Sequence, residues 1–373
     1  MGRSLNALNL IWFGRRIFLS MTQGKETTSE PRTLNLRQLA EHLQLSQTTV
    51  SLVLNNSPAG RSIPQHTRDR VLEAARRFRY RPNYFAKSLR NSRSMSVGVI
   101  VPDLSDGYFP VVMNAIEKQL LKAHYFYVTA SHYRRPELVE EYSLRLLERS
   151  VDGLLLLDTP AKVKVPIPAV AVSSHNQANG VVNVVLDHDC AARLALDHLR
   201  QLGHERIAFM RGAPGITDAK YRWESILTTA AKMGIPVRPE LTIQLREVTQ
   251  SPEAGHRHTR ELLEKSRDFT AIFCFNDISA IGAMRAIRDI GLRIPEDISV
   301  IGFDDIITAA YCEPPLTTVK QPLREMGTRA AQVLLARIAE PDKEGPPEIV
   351  MEPELIVRDS TGPAPASDRH CAA

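Results

Sequence analysis

The chain has 373 residues, 43% of them hydrophobic, enough for two to three packed domains, and no apolar run reaches the roughly 18 residues a membrane-spanning helix needs. Its four cysteines (Cys190, Cys274, Cys312, Cys371) are scattered without a CxxC pair, which argues against a disulfide scaffold or structural zinc site and suits a reducing cytoplasm. The net charge of +5 is unevenly spread: residues 32–95 carry +9, residues 1–31 carry +2 and residues 96–373 carry −6, the asymmetry expected when one part meets phosphate and the other does not.

In chain order, residues 1–31 come first. Arg15 and Arg16 follow the apolar stretch from Leu8 to Phe13 instead of preceding it, which is the wrong order for a signal peptide. The segment is expected to be disordered, with Met21 as an alternative start.

Residues 32–80 read as a small helical headpiece. Leu36, Leu39, Ala40 and Leu43 recur at helical spacing, with Asn35 or Thr33 as the cap. After a break at Gln44-Leu45, Ser46 can cap a second helix, QTTVSLVLN, with Val50, Val53 and Leu54 inward. A third helix starts near His66. This is helix-turn-helix logic, in which the second helix enters the major groove with its N-terminal residues forward. Gln47, Thr48 and Leu52 face away from the core. A glutamine can pair bidentately with adenine, and a threonine methyl or a leucine can meet the thymine methyl. Ser46, Thr49 and Ser51 are short donors suited to phosphates, and Asn55 joins them as a DNA-contact candidate. Taken alone, the pattern also fits an ordinary helical hairpin.

Residues 81–95 read as a hinge and linker. Pro82 stops the third helix, and Asn83 can cap a helix from about Tyr84 to Arg90 that is too short to be stable alone. Ala86 and Leu89 fall on one side, with Lys87 and Arg90 beside them. An exposed leucine on a marginal basic helix suits a minor-groove wedge: the leucine unstacks a base step and the alanine allows close approach. A solvated interdomain linker is the plainer reading.

At this point the chain resembles the lactose/galactose/purine repressor family, through LRQLAEHLQLSQTTVSLVLN, TRDRVLEAARRFRYRPN and AKSL. The resemblance implies that Gln47, Thr48 and Leu52 lie at base-reading positions and that Ala86 and Leu89 are the hinge residues of the minor groove. Two positions depart from the family pattern. Leu52 stands where many members carry a guanine-reading arginine, so operator preference does not carry over. Gln44 replaces the usual turn glycine, which implies either a left-handed glutamine or a shifted turn.

From Val97 onward, short apolar runs (VGVIV, YFYVTAS, DGLLLL, AVAVSS, RIAFMRG, LTIQL, AIFCF, SVIGF) alternate with amphipathic stretches. The alternation predicts parallel sheets with helices on both faces. The pattern restarts near Arg206, so two similar subdomains with a cleft between them are expected, with ligand at the carboxyl ends of strands. The expected fold is therefore an all-α headpiece plus an α/β core of two doubly wound parallel-sheet subdomains. Polar and aromatic residues follow four strand ends: Tyr108 and Phe109, Asp218 and Arg222, Asn276, and Asp304. Asp and Arg can each clamp two hydroxyls, and aromatic faces stack on pyranose CH groups. Singly, such residues are more often caps or ion pairs; at four strand ends together they indicate a ligand cleft.

The same resemblance continues through VGVIVPDLSDGYF, VDGLLLL, LDHLRQLGHERIAF, FNDISAIGAMRAIRDIGLRIPEDISVIGFDD and PPLTTVKQPLREMG, and so covers about residues 34–358. It implies a periplasmic-binding-protein-like core over 96–358, with Tyr108, Phe109, Arg222, Asn276 and Asp304 as ligand contacts and Asp218 beside them. It further implies a ligand-responsive regulator, a repressor, that binds a palindromic operator as a homodimer or higher oligomer and senses a sugar or sugar derivative. Such a protein would sit in the cytoplasm, nucleoid-associated through DNA. Residues 359–373, rich in small residues and proline, are expected to be a disordered tail. No catalytic residue, metal ligand or cofactor is expected: GxSxG, GxGxxG, P-loop and HExxH patterns are absent, and His256 and His258 lack a third ligand. A transport solute-binding protein would have a signal peptide and no headpiece. A sugar-active enzyme would need a nucleophile or an acid/base pair in the cleft.

Overall fold

The computed structural model describes residues 34–80, 93–105, 107–160, 166–176, 180–248, 251–341 and 346–365. The chain divides into two compact units, one reaching residue 87 and the other starting at 88.

The first unit has three helices, α1 (Leu36–Leu43), α2 (Gln47–Leu54) and α3 (Gln65–Arg77), with a 3-10 turn at Pro58–Ser62 before the last. Asn35 is the α1 cap. Its side chain accepts from the Gln38 amide at 2.9 Å while the Gln38 side chain accepts from the Asn35 amide at 3.0 Å, a reciprocal capping box. Gln44 takes the left-handed conformation (φ 53°, ψ 41°), so the turn is kept without its glycine. Ser46 caps α2 by accepting from the Thr49 amide at 3.0 Å. The apolar positions converge as their spacing demands: Leu39, Val50 and Val71 are fully buried, and Phe78 and Tyr80 close the core behind α3.

The second unit contains two six-stranded sheets. The first lobe holds β1 (Ser96–Val101), α4 (Tyr108–Lys122), β2 (Phe126–Ser131), α5 (Pro136–Glu148), β3 (Gly153–Leu157), β4 (Ala169–Val172) and β5 (Val181–Leu186). The second lobe holds α6 (His188–Gln201), β6 (Ile207–Arg211), α7 (Thr217–Met233), β7 (Thr242–Gln244), α8 (Pro252–Lys265), β8 (Ala271–Phe273), α9 (Asp277–Asp289), β9 (Ser299–Asp304) and β10 (Thr317–Lys320). The chain then returns to the first lobe with α10 (Leu323–Ala339) and β11 (Glu348–Met351), and ends in the second with β12 (Glu354–Ile356). Strand order is β11-β5-β4-β3-β1-β2 in one sheet and β12-β10-β9-β8-β6-β7 in the other. All pairings are parallel except β10 with β12.

Every residue of β3, β4 and β5 is buried, which explains their unbroken apolar sequences: helices cover both faces. The chain crosses between lobes three times, at Asp187, at Gln321-Pro322 and at Glu352-Pro353. The helices α8 and α9 touch backbone to backbone. A Cβ on Gly255 would lie 2.2 Å from the Ser279 carbonyl oxygen, and one on Gly282 would lie 2.0 Å from that of Pro252, so only glycine fits at either position.

One sequence expectation needs correction. The tail expected to be disordered from residue 359 is packed as far as residue 365. Ser360 is fully buried; its backbone carbonyl accepts from the Val300 amide at 2.8 Å, and its hydroxyl donates to the Val300 carbonyl at 2.6 Å. The Ala364 amide donates to the Leu202 carbonyl at 2.7 Å. Small residues here signal close packing along β9 and not freedom. The expected N-terminal disordered segment, 1–31, and residues 366–373 lie outside the described residues.

Candidate functional site

The first unit presents α2 as its open face. Gln47 and Thr48 are exposed at the N-terminal end of the helix, where a recognition helix does its reading. Leu52 is half-buried, so it is less open than its polar neighbours, and its carbonyl accepts from the Ser57 amide at 3.1 Å. The short polar residues brace the helix. The Ser46 and Thr49 hydroxyls pair at 2.8 Å, and the Asn55 amide donates to the Ser51 carbonyl at 2.8 Å and hydroxyl at 3.2 Å. Arg61, Arg70, Arg76, Arg77 and Arg79 are exposed around this core. Asn83, Ala86, Lys87 and Leu89, the hinge candidates, lie outside the described residues.

In the second unit the cleft between lobes is lined by Tyr108, Phe109, Asp158, Ser173, Ile216, Asp218, Arg222, Phe275, Asn276 and Asp304. All six residues expected at strand ends are therefore gathered around one cavity. Tyr108 and Phe109 open α4 after β1. Asp218 and Arg222 are one turn apart on α7, Asn276 caps α9, and Asp304 ends β9.

Electrostatics concentrates on Arg222, which is buried. Its Nη1 donates to the Phe275 carbonyl at 2.5 Å, its Nη2 lies 4.0 Å from Asp304 Oδ1, and its guanidinium stacks 3.6 Å from the Phe303 ring centroid. Asp304 also accepts from Gln321 Nε2 at 2.7 Å. Asn276 does double duty, since its side chain accepts from the Ser279 amide at 3.0 Å in a capping box. The Tyr108 hydroxyl pairs with the Ser173 hydroxyl. Burial, with Asp218 and Asp304 nearby, holds its phenol well above the ordinary value, so it stays neutral.

Asp158, Ser173, Ile216 and Phe275 were not singled out from sequence. The signal existed for two of them: Asp158 follows β3 and Ser173 follows β4, the same strand-end rule applied to two more strands. Asp158 forms a buried pair with Arg134 at 2.5 Å, yet desolvation outweighs that partner and raises its carboxyl. Asp158, Ser173 and Asp304 also share positive φ values of 41°, 54° and 112°. Backbone held in this region by non-glycine residues costs on the order of 1–3 kcal/mol each and clusters where function requires it.

The lobes are joined across the cleft. The Thr217 amide donates to Asp158 Oδ1 at 3.0 Å, its hydroxyl donates to the Ser173 carbonyl at 3.0 Å, and Arg134 Nη1 reaches the Gly215 carbonyl at 3.4 Å. The cavity is about 30 Å³, room for a water molecule or two. These bonds hold the two lobes together around the cavity.

Comparison with known proteins gives three kinds of match. Residues 35–83 match the family of bacterial regulatory proteins called the lacI family, and residues 196–361 match a periplasmic-binding-protein-like domain. The chain is 32% identical over 338 residues to the HTH-type transcriptional repressor PurR of Haemophilus influenzae, covering 87% of this chain and 98% of the relative. Its fold is similar to that of the Lac repressor dimer bound to operator and the anti-inducer ONPF, with a TM-score of 0.79 and 27% identity over 89% of this chain and all of that one. It is also similar to the transcriptional regulator CelR in its cellobiose complex, with a TM-score of 0.65 and 26% identity over 87% of this chain and 99% of that one.

Proposed function

The chain belongs to the lacI family of bacterial regulatory proteins, and from that premise we propose that it is a repressor that binds a two-fold symmetric operator as a homodimer and releases or tightens its hold when a sugar enters the cleft. The observation that carries this reading is the joining, in one chain, of a capped and exposed α2 to a two-lobed core whose cleft gathers three carboxylates, an amide, a guanidinium and aromatic rings. Carboxylates and an arginine recognise hydroxyls in pairs, and rings stack on sugar CH faces. The relatives solved with ONPF and with cellobiose support the same ligand class.

Gln47, Thr48 and Leu52 are the proposed base readers. Ser46, Thr49, Ser51 and Asn55 hold the helix against the backbone of the groove, and their bonds to one another pre-set its orientation. Asn83, Ala86, Lys87 and Leu89 complete the interface as a minor-groove element. Two headpieces on a dimer would meet two half-sites, which is why the operator is symmetric. Exposed Leu121 on α4 and Phe126 and Val128 on the edge strand β2 of the first lobe, and Ile307 and Tyr311 in the second, supply apolar surface for that dimer. Such a protein works in the cytoplasm at the nucleoid. Among the described residues no helix is long and apolar enough to cross a membrane.

The test is fluorescence anisotropy on the DNA upstream of the protein's own gene and its neighbours, with and without a panel of mono- and disaccharides. Sequence-specific, salt-sensitive binding that one sugar shifts is the expected result. Equal affinity for unrelated DNA under every condition would sink the reading.

A further inference from the structure

At the edge of the cleft, two histidines that the reading above does not use meet the cleft residue Asp218 in a cluster drawn from two lobes. His175 follows β4 in the first lobe, His188 opens α6 at the first interlobe crossing, and Asp218 lies in the first turn of α7. His175 Nε2 stands 3.5 Å from Asp218 Oδ1, and His188 Nε2 stands 3.5 Å from Asp218 Oδ2. One donor atom from each residue falls within 4.8 Å of the others.

The cluster is short of hydrogen bonds. His188 and Asp218 side chains are each 5% exposed. Neither ring nitrogen of His188 has a hydrogen-bond partner, and neither His175 Nε2 nor Asp218 Oδ1 has one. Only the loose 3.5 Å contacts to the Asp218 carboxylate face these atoms, and buried polar groups rarely lack well-formed hydrogen bonds, so four such atoms in one place need an explanation. Arg222 does not supply it, because its guanidinium is turned to the Phe275 carbonyl and the Phe303 ring.

We propose that His175, His188 and Asp218 form a site for a divalent first-row transition metal ion of the zinc class, clamping the two lobes beside the effector cleft. Two imidazoles and a carboxylate are the donor set such ions take, often with a fourth position left open. Ligand atoms at about 2.1 Å from a tetrahedral zinc lie roughly 3.4 Å apart, close to the 3.5 Å from each imidazole to its own oxygen of the Asp218 carboxylate. The set as a whole, spread over 4.8 Å, would have to draw in around the ion. Glu348, at the start of β11, adds a second sign. Its Oε2 lies 3.7 Å from His175 Nδ1, the ring nitrogen turned away from Asp218. A carboxylate behind a histidine fixes the tautomer that presents Nε2 to a metal.

Sequence spacing hides the site, since positions 175, 188 and 218 form no local motif and meet only in the fold. Asp218 also lines the cleft, so the open coordination position would border the effector. The proposal does not depend on the DNA-binding reading, and its test does not use DNA.

The experiment strips the full chain with chelator and titrates it with Zn²⁺ by calorimetry and with Co²⁺ by visible absorption. One ion per chain and the d–d spectrum of a low-coordinate Co²⁺ site are expected, with a zinc-dependent rise in melting temperature. His175→Gln and His188→Gln should each weaken binding by more than the roughly 10- to 100-fold that loss of an outer-sphere partner costs. Should buried His188→Gln fail to fold, the more open His175→Gln decides alone. No stoichiometric ion in the wild-type chain overturns the proposal and leaves a proton shared among the three groups. Stoichiometric ion retained by folded His175→Gln also overturns it, as adventitious surface binding.

Discussion

Arg222 is the residue on which the cleft turns. It is held from three sides, by the Phe275 carbonyl, the Phe303 ring and the Asp304 carboxylate, and its rigid fork is ready to meet paired hydroxyls. Arg222→Ala should therefore weaken effector binding by at least about 30-fold, the lower end for truncating one partner of a buried charge pair. Operator affinity without effector should stay within about threefold, since the headpiece is a separate unit. Parallel titrations with sugar and with operator check this, and loss of operator binding in a folded variant would count against the assignment. A second residue reports on pH. His132 is buried, its Nδ1 accepts from the Arg134 amide at 3.1 Å and its Nε2 meets the Thr159 hydroxyl at 3.1 Å. Burial first, and Arg134 second, lower its pKa to about 4. The unfolded imidazole binds a proton near pH 6.5, so between that pH and about 4 the unfolded state carries more protons. Stability from this group is thus complete above pH 6.5 and is lost as pH falls, by at most about 1.4 kcal/mol per pH unit. Urea midpoints from pH 7 to 4 should drop more steeply for the wild type than for His132→Asn; identical slopes would refute the role.

At the scale of elements, periodicity made most of the fold legible. The headpiece helices, the Ser46 cap and eight of the strands follow directly from spacing and cap chemistry, and the structure chooses Asn35 over Thr33 as the α1 cap. Four strands were not singled out: β5, β10, β11 and β12. The last two are four and three residues long, placed by pairing with β5 in the first sheet and β10 in the second and not by local pattern. The tail past Arg358 failed for a related reason, because its order comes from distant partners such as Val300 and Leu202. The turn between α1 and α2 was left open between a left-handed glutamine and a shifted turn. It is left-handed, which costs an L-residue roughly 1–2 kcal/mol, partly offset by the lower unfolded-state entropy of glutamine against glycine. Gln44→Gly should then stabilise the headpiece by roughly 0.5–1 kcal/mol. Amide exchange of α1 and α2 reads this locally; faster exchange in the variant would show that the Gln44 side chain contributes more than its strained backbone costs.

For the whole molecule, charge separates two jobs that sequence reading could place but not couple. The cleft residues were found at strand ends because parallel sheets aim those ends at one place, whereas the gathering of His175 and His188 around Asp218 needed both lobes in place to bring it into view. The charge partition is plainer: residues 32–95 carry +9 and residues 96–373 carry −6. A basic unit on a phosphate backbone releases condensed counterions, so its affinity falls steeply with salt. The cleft is different. Its charges are buried and paired within a few ångströms, where mobile ions screen little. The two binding events should therefore respond differently to the same change in buffer. If a dimer contacts six to ten phosphates, operator affinity should fall roughly 1,000- to 100,000-fold between about 50 and 200 mM salt. Sugar affinity of the same preparation should change by less than about threefold over that range. Paired anisotropy and calorimetry series at four salt concentrations decide the matter: a flat operator curve would deny the headpiece its phosphates, and a steep sugar curve would place the effector on the charged surface and not between the lobes.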